Sequence, residues 1–237
     1  MDLPPFTFHD SSGRVRAVEA REVQIPAAGR ALAGELVRPD HPVGVVVFAH
    51  GSGSSRFSPR NRFVAQRLQE AGFATLLLDL LTAEEEDEDR RTGRLRFDVA
   101  LLARRLLAAV VWAAEQPSLR GLRVGLFGAS TGAAAALRVA ADAPERVAAV
   151  VCRGGRPDLA RDDLPRVRAP TLLVVGGADE PVLRLNEEAL GLLRCEKQLA
   201  VIPGAGHLFE EPGALDEVAN LAVDWFARYV TPGGTGS

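Results

Sequence analysis

The sequence predicts an α/β fold: one mostly parallel central sheet of about seven or eight strands with helices on both faces and no cap domain. Three observations carry this expectation. Short uninterrupted aliphatic runs, such as "VGVVVFAH" (Val43–His50), "FATLLLDLL" (Phe73–Leu81) and "PTLLVVGG" (Pro170–Gly177), read as strands buried on both faces. Between them lie stretches whose apolar residues recur at helical spacing. The two patterns alternate along most of the chain, as strand–helix–strand units do.

Taken in order, residues 1–20 form an N-terminal segment. "REVQIPA" (Arg21–Ala27) and "ALAGELVRP" (Ala31–Pro39) then read as an antiparallel hairpin at the sheet edge. After the strand Val43–His50, Ser58 supplies an N-cap and Pro59 a first-turn proline. Phe63, Val64, Leu68 and Ala71 line one face of that helix, and Gly72 stops it. Phe73–Leu81 is the second central strand. The segment "TAEEEDEDRRTGR" (Thr82–Arg94) reads as a polar loop, with the acidic run Glu84–Asp89 as a solvated face. A long helix follows from about Phe97 to Glu115 and ends before Pro117. "RVGLFG" (Arg123–Gly128) is the third central strand, and a helix begins after Ser130. "RVAAVVCR" (Arg146–Arg153) and Pro170–Gly177 are the fourth and fifth strands, Leu183–Leu193 a helix, and "KQLAVIP" (Lys197–Pro203) the sixth strand. The last helix runs from about Pro212 to Tyr229, with Leu215, Val218, Ala219, Ala222, Trp225, Phe226 and Tyr229 as its apolar stripe. The tail at residues 231–237 reads as a flexible end. No internal repeat is found, and residues 1–237 are expected to form one domain.

Composition narrows the function classes. The chain is 47% hydrophobic and 25% charged, an ordinary globular balance. A net charge of −3 leaves no basic footprint, so no nucleic-acid partner is expected. No apolar run approaches the roughly 20 residues that span a bilayer, and "MDLPPFTFHD" lacks the pattern of a signal peptide. A cytoplasmic protein with no membrane partner is therefore expected, with its two cysteines, Cys152 and Cys195, as reduced thiols. No cluster has metal-ligand spacing and no cofactor motif is present, so neither a metal nor a cofactor is expected. A homodimer is left open.

In parallel sheets ligands bind outside the carboxyl ends of the strands, so loops that follow strands are the site candidates. Gly128-Ala129-Ser130-Thr131-Gly132 is a G-x-S-x-G sequence between a buried strand and a helix. Glycines two residues either side of the serine relieve collisions at a sharp turn that projects its hydroxyl above the sheet. A serine needs a base to take its proton. Of the four histidines, His9 lies in the N-terminal segment and His41 in a loop before a strand. His50 ends a strand and reads as a brace for the following loop. His207, in "PGAGHLFEEP" after the last strand, is the candidate base. Asp179, in "VVGGADEPV", is the candidate acid that orients it, with Glu180 as its rival.

The order Ser130, Asp179, His207 resembles that of the α/β-hydrolases, and the stretch from about Gly44 to Tyr229 is similar to their dienelactone hydrolase-like group. The resemblance implies an oxyanion hole formed by two backbone N–H groups, those of Thr131 and, in the loop His50–Arg56, of Ser52. Dienelactone hydrolases proper use a cysteine nucleophile; the serine here favours ester hydrolysis. The family's carboxylate-bearing lactones direct attention to Arg153, which follows the fourth strand, and to Arg56, beyond the oxyanion loop. The competing reading pairs Arg153 with Asp158 or Asp179, or has it simply reach water. The expected function is hydrolysis of a small carboxylic ester or lactone through an acyl-enzyme. The alternatives are an acyltransferase on the same residues and a non-catalytic binding module of the same fold.

Overall fold

The structure, a computed structural model, describes residues 6–9, 15–27 and 29–231, with side chains from Val18 onward. In chain order the elements are β1 (Phe6–His9), β2 (Val15–Ala27), β3 (Arg30–Pro39), β4 (Val45–Ala49), α1 (Pro59–Glu70), β5 (Ala74–Leu78), α2 (Ala83–Thr92), α3 (Val99–Glu115), β6 (Val124–Ala129), α4 (Thr131–Asp142), β7 (Ala149–Arg153), β8 (Thr171–Gly176), α5 (Glu180–Leu192), β9 (Lys197–Ile202) and α6 (Ala214–Tyr229). The strands form one sheet in the order β1-β2-β3-β5-β4-β6-β7-β8-β9. From β5 to β9 every pairing is parallel. β1, β2 and β3 pair antiparallel with one another, and β3 joins β5 antiparallel.

This is the mostly parallel α/β sheet read from the sequence, with two differences, one at the sheet edge and one in a connection. β2 begins at Val15, and β1 pairs with it, so the first 20 residues contribute strand to the sheet edge and bring the described strands to nine. The second difference is α2, read above as loop. A capping box at Thr82 and Glu85 starts it, and Gly93 in the left-handed region (φ 64°) ends it. Only Asp89 is buried in α2, so apolar periodicity gave no sign of a helix.

Side chains of each central strand alternate between two apolar layers. Val45, Val47, Leu126 and Val150 face α3 and the alanines of α4. Val46, Phe48, Phe127 and Val151 face α1 and α6. Ala133–Ala136 are fully buried, and their small side chains let α4 lie close to the sheet. The chain leaves β4 toward β5 on one side and returns through α3 to β6 on the other. That reversal opens a crevice at the carboxyl ends of β4 and β6, where ligands bind in sheets of this kind. Among the described residues no helix is long and apolar enough to cross a membrane.

Candidate active site

Ser130 stands between β6 and α4 with φ 50° and ψ −120°, one of three described non-glycine residues at positive φ. Such a conformation costs about 1–3 kcal/mol and is kept where the surroundings over-determine it. Here the Ser130 N–H donates to the Arg153 carbonyl (3.1 Å), and the Ser130 carbonyl accepts from Ala133 (3.1 Å) and Arg156 (3.0 Å). The flanking glycines are required sterically. A Cβ on Gly128 would lie 2.5 Å from Ala133 Cα, and one on Gly132 would lie 2.5 Å from the His50 carbonyl oxygen. Ser130 is the N-cap of α4, yet its hydroxyl makes no capping bond and stays available.

The loop after β4 packs directly on this turn: a Cβ on Gly51 would lie 2.9 Å from Ser130 Cβ and 3.6 Å from Oγ. His50 is buried and holds the loop at both ring nitrogens. Nε2 accepts the Leu80 N–H (3.0 Å), which leaves Nδ1–H to donate to the Gly51 carbonyl (2.9 Å). Both nitrogens are thereby occupied, and His50 is a brace. Ser52 Oγ and Thr131 Oγ1 are 3.2 Å apart, pinning together the two segments that carry the candidate oxyanion donors. Thr131 is the first residue of α4, so its N–H has no acceptor within the helix.

His207 and Asp179 come from the loops after β9 and β8. Two backbone bonds stitch those loops together, Gly177 N–H to Ile202 O (2.8 Å) and Ala178 N–H to Ala205 O (2.9 Å). His207 Nδ1 then lies 2.6 Å from Asp179 Oδ2. With Nδ1–H donating to that carboxylate, the ring's lone pair lies on Nε2. Glu180 takes no part: its side chain is 77% exposed and sits 3.7 Å from Arg184. His207 reaches the serine turn through β7. A Cβ on Gly154, the residue after Arg153, would be 3.4 Å from His207 Cε1. Among the described residues Ser130 Oγ and the His207 ring make no direct hydrogen bond; both line the same strand edge.

The two candidate substrate-binding arginines differ in their surroundings. Arg56 is engaged: Asp79 accepts from its backbone N–H (2.7 Å) and pairs with its guanidinium, which also lies over the Phe57 ring. Its charge is met within the protein. Among the described residues Arg153 has no such partner: Asp158 is held by Arg156 and Asp179 by His207. Only Nη2 of Arg153 finds an acceptor, Asn61 Oδ1 at 3.4 Å. Burial, reinforced by the nearby charge of Arg60, lowers its pKa to about 10. Arg60 and Asn61 were missed in the sequence. The signal was present, since Ser58 and Pro59 start α1 directly after the β4 loop and so put its first turn on the site edge. A surface cleft of about 840 Å³ is lined by Ser55, Arg56 and Asp79 together with Arg30 and residues of α2, and contains neither Ser130 nor His207.

The profile of the Dienelactone hydrolase family matches residues 32–231. The chain belongs to the dienelactone hydrolase family. A dienelactone hydrolase from Anabaena variabilis is 57% identical in sequence, with a TM-score of 0.88 over 90% of this chain and 99% of that one. A Mycobacterium tuberculosis protein named "Putative phosphoribosyl transferase" is 57% identical over 216 residues, which is 91% of this chain and 48% of the relative. The chain therefore spans about half the length of that curated relative. Est1E from Butyrivibrio proteoclasticus shares the dienelactone hydrolase fold at 16% identity, with a TM-score of 0.72 over 87% of this chain and 99% of that one.

Proposed function

We propose that this member of the family is a serine hydrolase that cleaves a small carboxylic ester or lactone through an acyl-enzyme. The 2.6 Å contact between His207 Nδ1 and Asp179 Oδ2, on the strand edge that carries Ser130 in a strained turn, carries this reading. Ser130 Oγ attacks the carbonyl carbon while His207 Nε2 takes its proton. Asp179 holds the ring in the tautomer that exposes Nε2 and stabilises the imidazolium. The Ser52 and Thr131 N–H groups hold the oxyanion, aided by the positive end of α4. Collapse breaks the ester bond, and the leaving alkoxide takes the proton from His207. Water then repeats the sequence on the acyl-enzyme and releases the acid. The name carried by the mycobacterial relative belongs to a protein about twice the length of the matched stretch and supplies no step here.

A fluorophosphonate probe, with a panel of short-chain aryl esters, tests the reading. The expected result is stoichiometric labelling of the intact protein, none of Ser130→Ala, and ester turnover that the label abolishes. A protein that is neither labelled nor active on any ester of the panel overturns it in favour of a binding role.

A further inference from the structure

Two arginines drawn into this fold, buried Arg105 and partly exposed Arg96, are each met by a carboxylate. Arg105, 2% exposed, is held by both oxygens of Glu85 and by the Leu80 carbonyl. Arg96 is held by buried Asp89. Arg153 is the departure. It is 8% exposed, its Nε and Nη1 have no hydrogen-bond partner, and among the described residues it makes no ion pair. A buried charge without a partner is costly, so its retention needs a reason. Next to it, Arg60 brings a second guanidinium whose Nε is also buried and unpartnered. Among the described residues its ion-pair partner is Glu210, 3.5 Å away with a side chain 69% exposed. Two cations thus repel one another, and three buried donor nitrogens, Arg153 Nε and Nη1 and Arg60 Nε, go unused.

We propose that Arg153 and Arg60 form a subsite beside Ser130 for a doubly charged oxyanion, a phosphoryl-type group carried by the ester substrate. The position suits this role. The Arg153 carbonyl accepts the Ser130 N–H, its guanidinium carbon lies 6.0 Å from the Phe209 ring two residues past His207, and Asn61 ties it to the first turn of α1. Arg153 stays protonated at neutral pH, and the second cation, Arg60, is offset only by the solvent-exposed Glu210 carboxylate, a weak surface pair that a ligand can displace. A single negative charge leaves their mutual repulsion half offset; a dianion meets both, and its several oxygens use the spare donors. The proposal rests on the hydrolase reading for its chemistry and on the arginine pair for its specificity.

The test uses three 4-nitrophenyl esters of similar size, of pentanoic, glutaric and 3-phosphonopropionic acid, at a pH where the phosphonate is doubly ionised. In the wild type, kcat/KM for the phosphono ester should exceed that for the neutral ester by about 100-fold, with the glutarate ester between them. Arg153→Met should reduce the phosphono-to-neutral ratio to near one, Arg153→Lys should restore part of it, and Arg60→Gln should lower the phosphono-to-glutarate ratio. The subsite is overturned if Arg153→Met lowers all three rates equally, which marks a structural post, or if the glutarate ester equals the phosphono ester. Calorimetric titration with inorganic phosphate separates this from the hydrolase reading. Phosphate should bind the wild type and not Arg153→Met, whether or not the fluorophosphonate labels Ser130. Equal binding to both, or to neither, removes the subsite while leaving the hydrolase reading to its own test.

Discussion

In the proposed mechanism Ser130, Asp179 and His207 each answer a demand of nucleophilic catalysis at a particular atom. The serine hydroxyl is kept out of capping, the histidine tautomer is set by a 2.6 Å bond, and the carboxylate is largely shielded, with a side-chain exposure of 13%. Removing any member should therefore cost far more than a contact. Ser130→Ala and His207→Ala are each expected to lower kcat on an activated ester by about 10⁴-fold or more, with little change in thermal midpoint, because such residues act as a unit. Asp179→Asn should cost about 10²–10⁴-fold by losing control of the tautomer, whereas Glu180→Gln should stay within about two-fold. Steady-state kinetics on the four variants check this. A Glu180→Gln defect larger than that of Asp179→Asn reverses the assignment of the acid.

Among the elements, α2 has an unusual source of stability. It contributes almost nothing to the apolar core and is held by polar contacts at its two ends. Glu85 closes the capping box with Thr82 and receives both Nη groups of Arg105; Asp89 accepts from Arg96 and from the N–H groups of Leu95 and Arg96. The Arg105 side chain is 3% exposed, so removing Glu85 strands a buried charge. Glu85→Ala is expected to destabilise the fold by about 3–5 kcal/mol, and Thr82→Ala by about 1 kcal/mol. Urea denaturation measures both, and amide exchange should show α2 opening first. The capping signature Thr82-x-x-Glu85 and the stop at Gly93 were both legible in the sequence. What hid the helix is that its pairing partners lie on α3 and in the segment before it, where no local period reports them.

At the scale of the whole molecule, α6 closes one face of the sheet, and its last residues meet the connections before β8 and β9. The Trp225 indole N–H donates to the Pro170 carbonyl (3.2 Å), and the Tyr229 hydroxyl donates to Glu196. Burial, with the Glu196 carboxylate as hydrogen-bond acceptor and like charge, raises the Tyr229 pKa from 10 to about 12. The folded state thus favours the neutral phenol. This contribution is complete below the unfolded pKa of 10 and is lost as pH rises from there toward about 12. Denaturant midpoints should fall more steeply over that window in the wild type than in Tyr229→Phe. Identical pH profiles would show that the phenol ionises as freely in the fold as in the unfolded chain.

The sequence by itself determined the alternation of strands and helices, the strained serine turn, and the placement of a histidine and an acid on loops at the same strand edge. All of these depend on residues a few positions apart, so period and spacing report them directly. Tertiary structure decided the rest. Asp179 and Glu180 are neighbours with the same chemistry, and only the stitching of the β8 and β9 loops selects which one faces His207. Arg56 and Arg153 both lie at strand ends on the site edge, yet Asp79 meets the charge of the first while no carboxylate among the described residues pairs with the second. Charge pairing joins residues that lie far apart in the chain, and its outcome depends on which side chains the sheet order brings within a few ångströms.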